Sequence, residues 1–184
     1  MARNTLSRTL HDVGLAAWFG GSLMGAVGLN AAAGAVDDPR QAGRVANVGW
    51  NHWTPVNAAA IGANLLGSVG QLGGNAERVA GQKGVASMSV VKTVLTVAAM
   101  GATAYSRVLG RKLAAAGDVP AEGGTEPAVT TPPELATAQR QLKIMQWVIP
   151  ASTGALLAVS SYAGEQQRAS EVAKGTKRGI LTRA

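Results

Sequence analysis

"VGLAAWFGGSLMGAVGLNAAAGAV", residues 13–36, runs for two dozen positions without an Asp, Glu, Lys or Arg. A soluble helix shows a polar face every 3.6 residues, usually with charges on it. None is present here. The glycines would also weaken an isolated helix in water, by roughly 1 kcal/mol each relative to alanine. In a bilayer, Gly and Ala instead let helix backbones approach closely. The stretch therefore reads as a membrane-spanning helix.

The rest of the chain repeats this arrangement. Residues 45–76 and 144–164 also lack charge, and residues 84–106 carry only Lys92. About 20 mostly apolar residues in helix cross the hydrocarbon core. All ten acidic residues and sixteen of the seventeen basic ones fall outside the four windows. A charge at mid-membrane costs about 2.5–3.5 kcal/mol on the insertion scale, which explains such sorting. The expected fold is all-α: a four-transmembrane-helix bundle with helices near 8–34, 55–75, 84–116 and 133–167. Helices 3 and 4 exceed the bilayer thickness, so they should extend beyond it as a hairpin. Residues 1–168 make one integral membrane domain, and 169–184 make a basic C-terminal tail. A soluble Ala/Gly-rich bundle is the rival fold.

Local signals set the expected helix ends. Thr54 and Pro55 read as N-cap and first helical residue. Thr131 and Glu134 have capping-box spacing. Gly117 follows "KLAAA" as a helix terminator. Pro150 should kink the fourth helix. The segment 118–132 is rich in Pro, Gly and Thr and reads as a mobile loop.

Composition narrows the function. With no cysteine, disulfides and thiolate chemistry are excluded. A net charge of +7 admits nucleic acid, anionic lipid or cytoplasmic loops as its cause. The basic residues lie between apolar stretches and only one Phe and two Tyr are present, which argues against nucleic acid. No P-loop, nucleophile elbow or H-E-x-x-H occurs, so a non-enzymatic role is expected. No cofactor is implied. Ten basic residues flank the side bearing the termini, against seven opposite, which places the termini in the cytoplasm and the chain in the bacterial plasma membrane. Arg3, Arg8 and the run to "AAAGA" also fit a cleaved secretory signal.

"GWNHWTPVN" (49–57) sets His52 between Trp50 and Trp53. With Trp147, these residues read as a membrane-interface belt. His52 as a haem or metal ligand is the alternative; its only possible histidine partner, His11, should lie roughly 30 Å away across the core. Asn57, Asn64 and Gln71 recur every seven residues on one face of the second helix. With Lys92, they are the candidate ligand-binding residues, or else interhelical glue. Lys92 either snorkels to the surface or faces this stripe. Gly21 with Gly25, and Gly70 with Gly74, have G-x-x-x-G spacing for helix packing.

"HDVGLAAWFGGSLMG" (11–25) resembles the opening of helix 1 in copper-resistance-D-like four-helix bacterial membrane proteins, through His11, Trp18, Gly20 and Gly21. "RQLKIMQWVIPASTGAL" (140–156) and "GEQQR" (164–168) resemble uncharacterised actinobacterial membrane proteins. The resemblance implies a four-helix membrane fold. The chain departs from a copper site in having no Cys, no Met cluster and no second His on the same side. The leading expectation is a non-enzymatic accessory or scaffold component of a membrane complex, with the lipid bilayer and other membrane proteins, or its own copies, as partners. The alternative is an intramembrane binder or carrier of a lipid, quinone or haem.

Overall fold

The computed structural model describes residues 5–74 and 85–165. These residues are helical, with no strand among them beyond an isolated bridge between Ala121 and Pro127. Helix α1 (Thr5–Met24) passes through a π-helical turn (Gly25–Leu29) into the short α2 (Asn30–Gly34). Then come α3 (Pro39–Gly74), α4 (Val85–Ala115) and α5 (Pro133–Glu165). Thr5–Gly34, Ser87–Ala115 and Pro133–Tyr162 are each long and apolar enough to cross a membrane, the pattern of a membrane protein. Along Ser87–Ala115 only 6% of the most apolar window is buried, so α4 shows apolar side chains outward, as lipid contact requires. Helix α3 does not reach the same hydropathy, because amides, hydroxyls and His52 punctuate its charge-free stretch.

Helix α3 packs along α1, α1 along α5, and α5 along α4, while α3 and α4 share few contacts. Four helices converge on Trp18, which is fully buried with Leu15 against Ala99, Ile149, Leu156 and Ile61. A second cluster joins Leu109 and Leu113 of α4 to Val119 and Ala138.

Glycines seat the α1–α3 pair. A methyl at Gly14 would run into Ala60 and Asn64, and one at Gly67 into His11 and Ser7. Gly21 receives the indole of Trp53, and Gly25 that of Trp50. The contacts fall at Ser7–Gly70, His11–Gly67, Gly21–Trp53 and Gly25–Trp50, an antiparallel zip in which backbone meets backbone or ring meets notch.

Several sequence expectations are corrected. The helix expected at 55 begins sixteen residues earlier, at Pro39. Thr54 does not cap it: its hydroxyl donates to the Trp50 carbonyl at 2.8 Å inside a continuous helix. Pro55 is thus an interior proline of a continuous helix. Thr131 donates to the Pro120 carbonyl at 2.7 Å instead of capping α5. The loop 118–132, expected to be mobile, is a folded cap. Its Val119, Ala121 and Thr125 are buried, and its amides at Ala121 and Gly124 donate to the carbonyls of Pro39 and Asn30. Gly117 does end α4, at φ +83°, a conformation a side chain would strain. Residues 75–84 and the basic tail lie outside the described residues.

Candidate functional site

A cavity of about 360 Å³ lies between α3 and α4, where the bundle is least closed. Ile61, Met100 and Ile149 line it on the side of the Trp18 core, and Gly124 and Thr125 of the cap line it elsewhere. Its walls are mainly apolar, with a few polar groups converging. This size and lining fall in the range typical of small-molecule sites. Asn51 and Ala58 of α3 and Ala104 of α4 line the cavity and are exposed, so a slot between the two helices opens sideways.

Polar residues line the cavity from three directions. The first is α3. Trp53 and Asn57 are one turn apart on the same face and both line the space. Their Nε1 and Oδ1 atoms are buried and have no hydrogen-bond partner among the described residues. Each such orphan costs about 1–3 kcal/mol. Both atoms are closed off within the packing, so it is the rest of these two side chains that faces the cavity.

The second is the π turn. The Asn30 amide N–H reaches Gly25 O, five residues back. The added residue rotates the start of α2 relative to α1. Asn30 is buried and joins three neighbours: its Nδ2 donates to Gln146 Oε1 at 2.6 Å, its Oδ1 accepts from Trp50 Nε1 at 3.0 Å, and its carbonyl accepts from Gly124 at 3.1 Å. This hub ties α5, α3 and the cap together beside the cavity.

The third is Arg107 of α4, whose Nη1 donates to Asn51 Oδ1 at 2.8 Å and bridges the slot. Among the described residues it is the only charged group lining the cavity, and no carboxylate pairs with it.

The expected site residues do not all assemble here. Of the proposed stripe, Asn57 lines the cavity. Asn64 sits fully buried in the α1–α3 seam, donating from Nδ2 to the His11 carbonyl at 3.0 Å, with its own Oδ1 unpartnered. Gln71 is half-buried two turns further on. Lys92 lies away from the cavity, in electrostatic reach of Asp12 and Arg8 at the start of α1. An acidic group is therefore near it, which depth counting along the helices did not give. Trp50 and Trp53 turn inward onto glycine notches and the cavity wall; His52 between them is exposed, and Trp147 is half exposed. His11 is buried against Gly67, and His52 stands fifteen residues from Gly67 along α3, about 22 Å at 1.5 Å per residue. The two histidines cannot share a ligand, although they are closer than the expected 30 Å. No group of three His, Asp or Glu side chains among the described residues could hold a metal ion. Gly21, Gly25 and Gly70 face α3 or α1 partners.

Sequence reasoning missed Arg107, Asn51, Asn30 and Gln146. A faint signal existed for two. Asn30 is the only amide side chain in the 13–36 window, and Arg107 is the first charge beyond the 84–106 window. No protein-family model, no curated protein and no solved structure matches this chain.

Proposed function

We propose that this chain is a multi-pass membrane protein that binds a small amphipathic molecule in the cavity between α3 and α4, without catalysing a reaction on it. The observation that carries this reading is the cavity itself: mainly apolar walls with one cationic side chain among the described residues, Arg107, at the slot, bonded there to the neutral amide oxygen of Asn51. A mainly apolar cavity with a few polar groups is the usual form of a small-molecule site. In this reading all four long helices cross the plasma membrane, the termini are cytoplasmic, and the cap lies on the outer side. α3 is the least apolar crossing because it supplies the polar wall of the site.

A second reading, an accessory subunit of a larger membrane complex, draws support from α4. Val90, Val94, Val97, Tyr105 and Val108 are exposed there at helical spacing, with Gly101 open among them. Such a face suits lipid or another helix.

The deciding experiment is native mass spectrometry of the protein released from a mild non-ionic detergent, beside Gly110→Phe. Gly110 lines the cavity, and a Cβ there meets open space, so the phenyl ring fills the site without displacing backbone. The wild type should carry a stoichiometric small molecule that the variant lacks. A wild type that flies empty, or an equal load on both, sinks the binding reading and leaves the accessory one.

A further inference from the structure

Resting on the cavity reading, we infer that the ligand is an acidic amphiphile, an anionic oxygen head on an alkyl tail, held by Arg107 and admitted sideways through the slot between α3 and α4. Arg107 is the only charged group among the described residues that line the cavity, and its cation is met there by the neutral amide oxygen of Asn51. A carboxylate or phosphate oxygen is a better acceptor for guanidinium than an amide, with a shorter, roughly twice as strong hydrogen bond and a second oxygen for the planar fork. The Arg107–Asn51 bond crosses the slot, so an arriving head would exchange with Asn51 at the entrance. The released Asn51 amide stays beside it.

The remaining chemistry fits the rest of such a molecule. Thr103, Ser106 and Gln146 add a few neutral polar groups to the lining, and the rest of the walls are apolar: Ile61, Met100, Leu113, Leu142 and Ile149. At about 360 Å³ the cavity lies in the size range of small-molecule sites, with room for a head and at least part of an alkyl tail. Ala58 and Ala104, exposed on opposite edges of the slot, leave room for a longer tail to pass between the helices. The head could belong to a free fatty acid or to a phosphate-headed lipid; both present the same chemistry to Arg107.

The test uses the delipidated full chain in non-ionic detergent and a dansylated undecanoic acid, read by fluorescence, beside its methyl ester. The wild type should bind the acid at least tenfold more tightly than the ester. Arg107→Gln should bring the acid down to the ester's level, Arg107→Lys should keep a preference for the acid, and Gly110→Phe should abolish binding of both. Competition by dodecanoate and by dodecyl phosphate then identifies the head: the stronger competitor names carboxylate or phosphate, and displacement by either supports the inference. Equal binding of acid and ester to the wild type, an acid preference that survives in Arg107→Gln, or displacement by neither anion overturns it while leaving the cavity in place. Binding of neither probe to the wild type, with Gly110→Phe no different, rejects the cavity reading itself.

Discussion

The indole of Trp53 lies in the notch left by Gly21, so that the missing side chain on α1 is replaced by a ring from α3. One turn along, Trp50 does the same at Gly25. The two aromatics of "GWNHWTPVN" therefore set the spacing and register of a helix pair.

Gly21→Leu should lower stability by about 1–3 kcal/mol, the usual cost of overpacking. The neighbouring Gly20→Leu is the control, since a Cβ at Gly20 meets nothing within 4 Å. Thermal unfolding in detergent should show a lower midpoint for the first variant and no loss for the second. Equal behaviour would mean that the Trp53 ring does not occupy the notch.

Asn64 and Asn57 should separate stability from binding. Asn64→Ala removes the bond to the His11 carbonyl, and buried interhelical hydrogen bonds in membranes average about 0.6 kcal/mol, with a maximum near 1.7. A loss of ~1 kcal/mol is expected, with the cavity's occupant retained. Asn57→Leu gives up an oxygen that has no partner to lose. It should leave the melting temperature unchanged or raised while weakening the ligand. The pair is measured by thermal unfolding and native mass spectrometry; the opposite pattern would contradict both assignments.

Asn30→Ala should loosen the cap. The substitution removes the side-chain bonds to Gln146 and Trp50 but keeps the carbonyl that Gly124 uses. Limited proteolysis should cut within 118–132 several-fold faster than in the wild type. Unchanged cutting rates would show that Val119, Ala121 and Thr131 hold the cap without the hub.

Topology can be read directly because the chain has no cysteine. Val129, 97% exposed at the tip of the cap, is the natural probe. In intact cells, Val129→Cys should react with a membrane-impermeant maleimide, while a cysteine placed at Ala184 should react only after lysis. The reverse labelling would invert the proposed orientation; labelling of both in intact cells would rule out four crossings.

The windows free of charge were readable because desolvation of charge is a one-residue property: each Arg or Asp reports its own cost, wherever it lies. The helical class and the Gly21–Gly25 packing element follow from composition and spacing alone. Thr54–Pro55 misled for a local reason. A hydroxyl that caps a helix N-terminus can equally bond back one turn inside a continuing helix, and the two cases share one sequence. The cap looked mobile because Pro, Gly and Thr predict turns, whereas its order comes from Asn30 and Pro39, some ninety residues away. The cavity was least legible. It is built from Asn51, Trp53, Arg107 and Gln146 on three helices, and no periodicity within one helix reports a gap between two.

The helix order has a mechanical consequence. Helices α3 and α1 form one leaf, α4 and α5 the other, and the leaves are bound along a spine where α1 meets α5. The free edges meet at α3 and α4, clasped by Arg107 and Asn51. Parting those edges near the clasp leaves the glycine zip of one leaf and the Leu109–Leu113 cluster of the other intact. Packing is therefore dense within each leaf and sparse along the fore-edge, where the cap, bonded to Pro39, ties one end and Arg107 bridges the gap, much as a clasp closes a book.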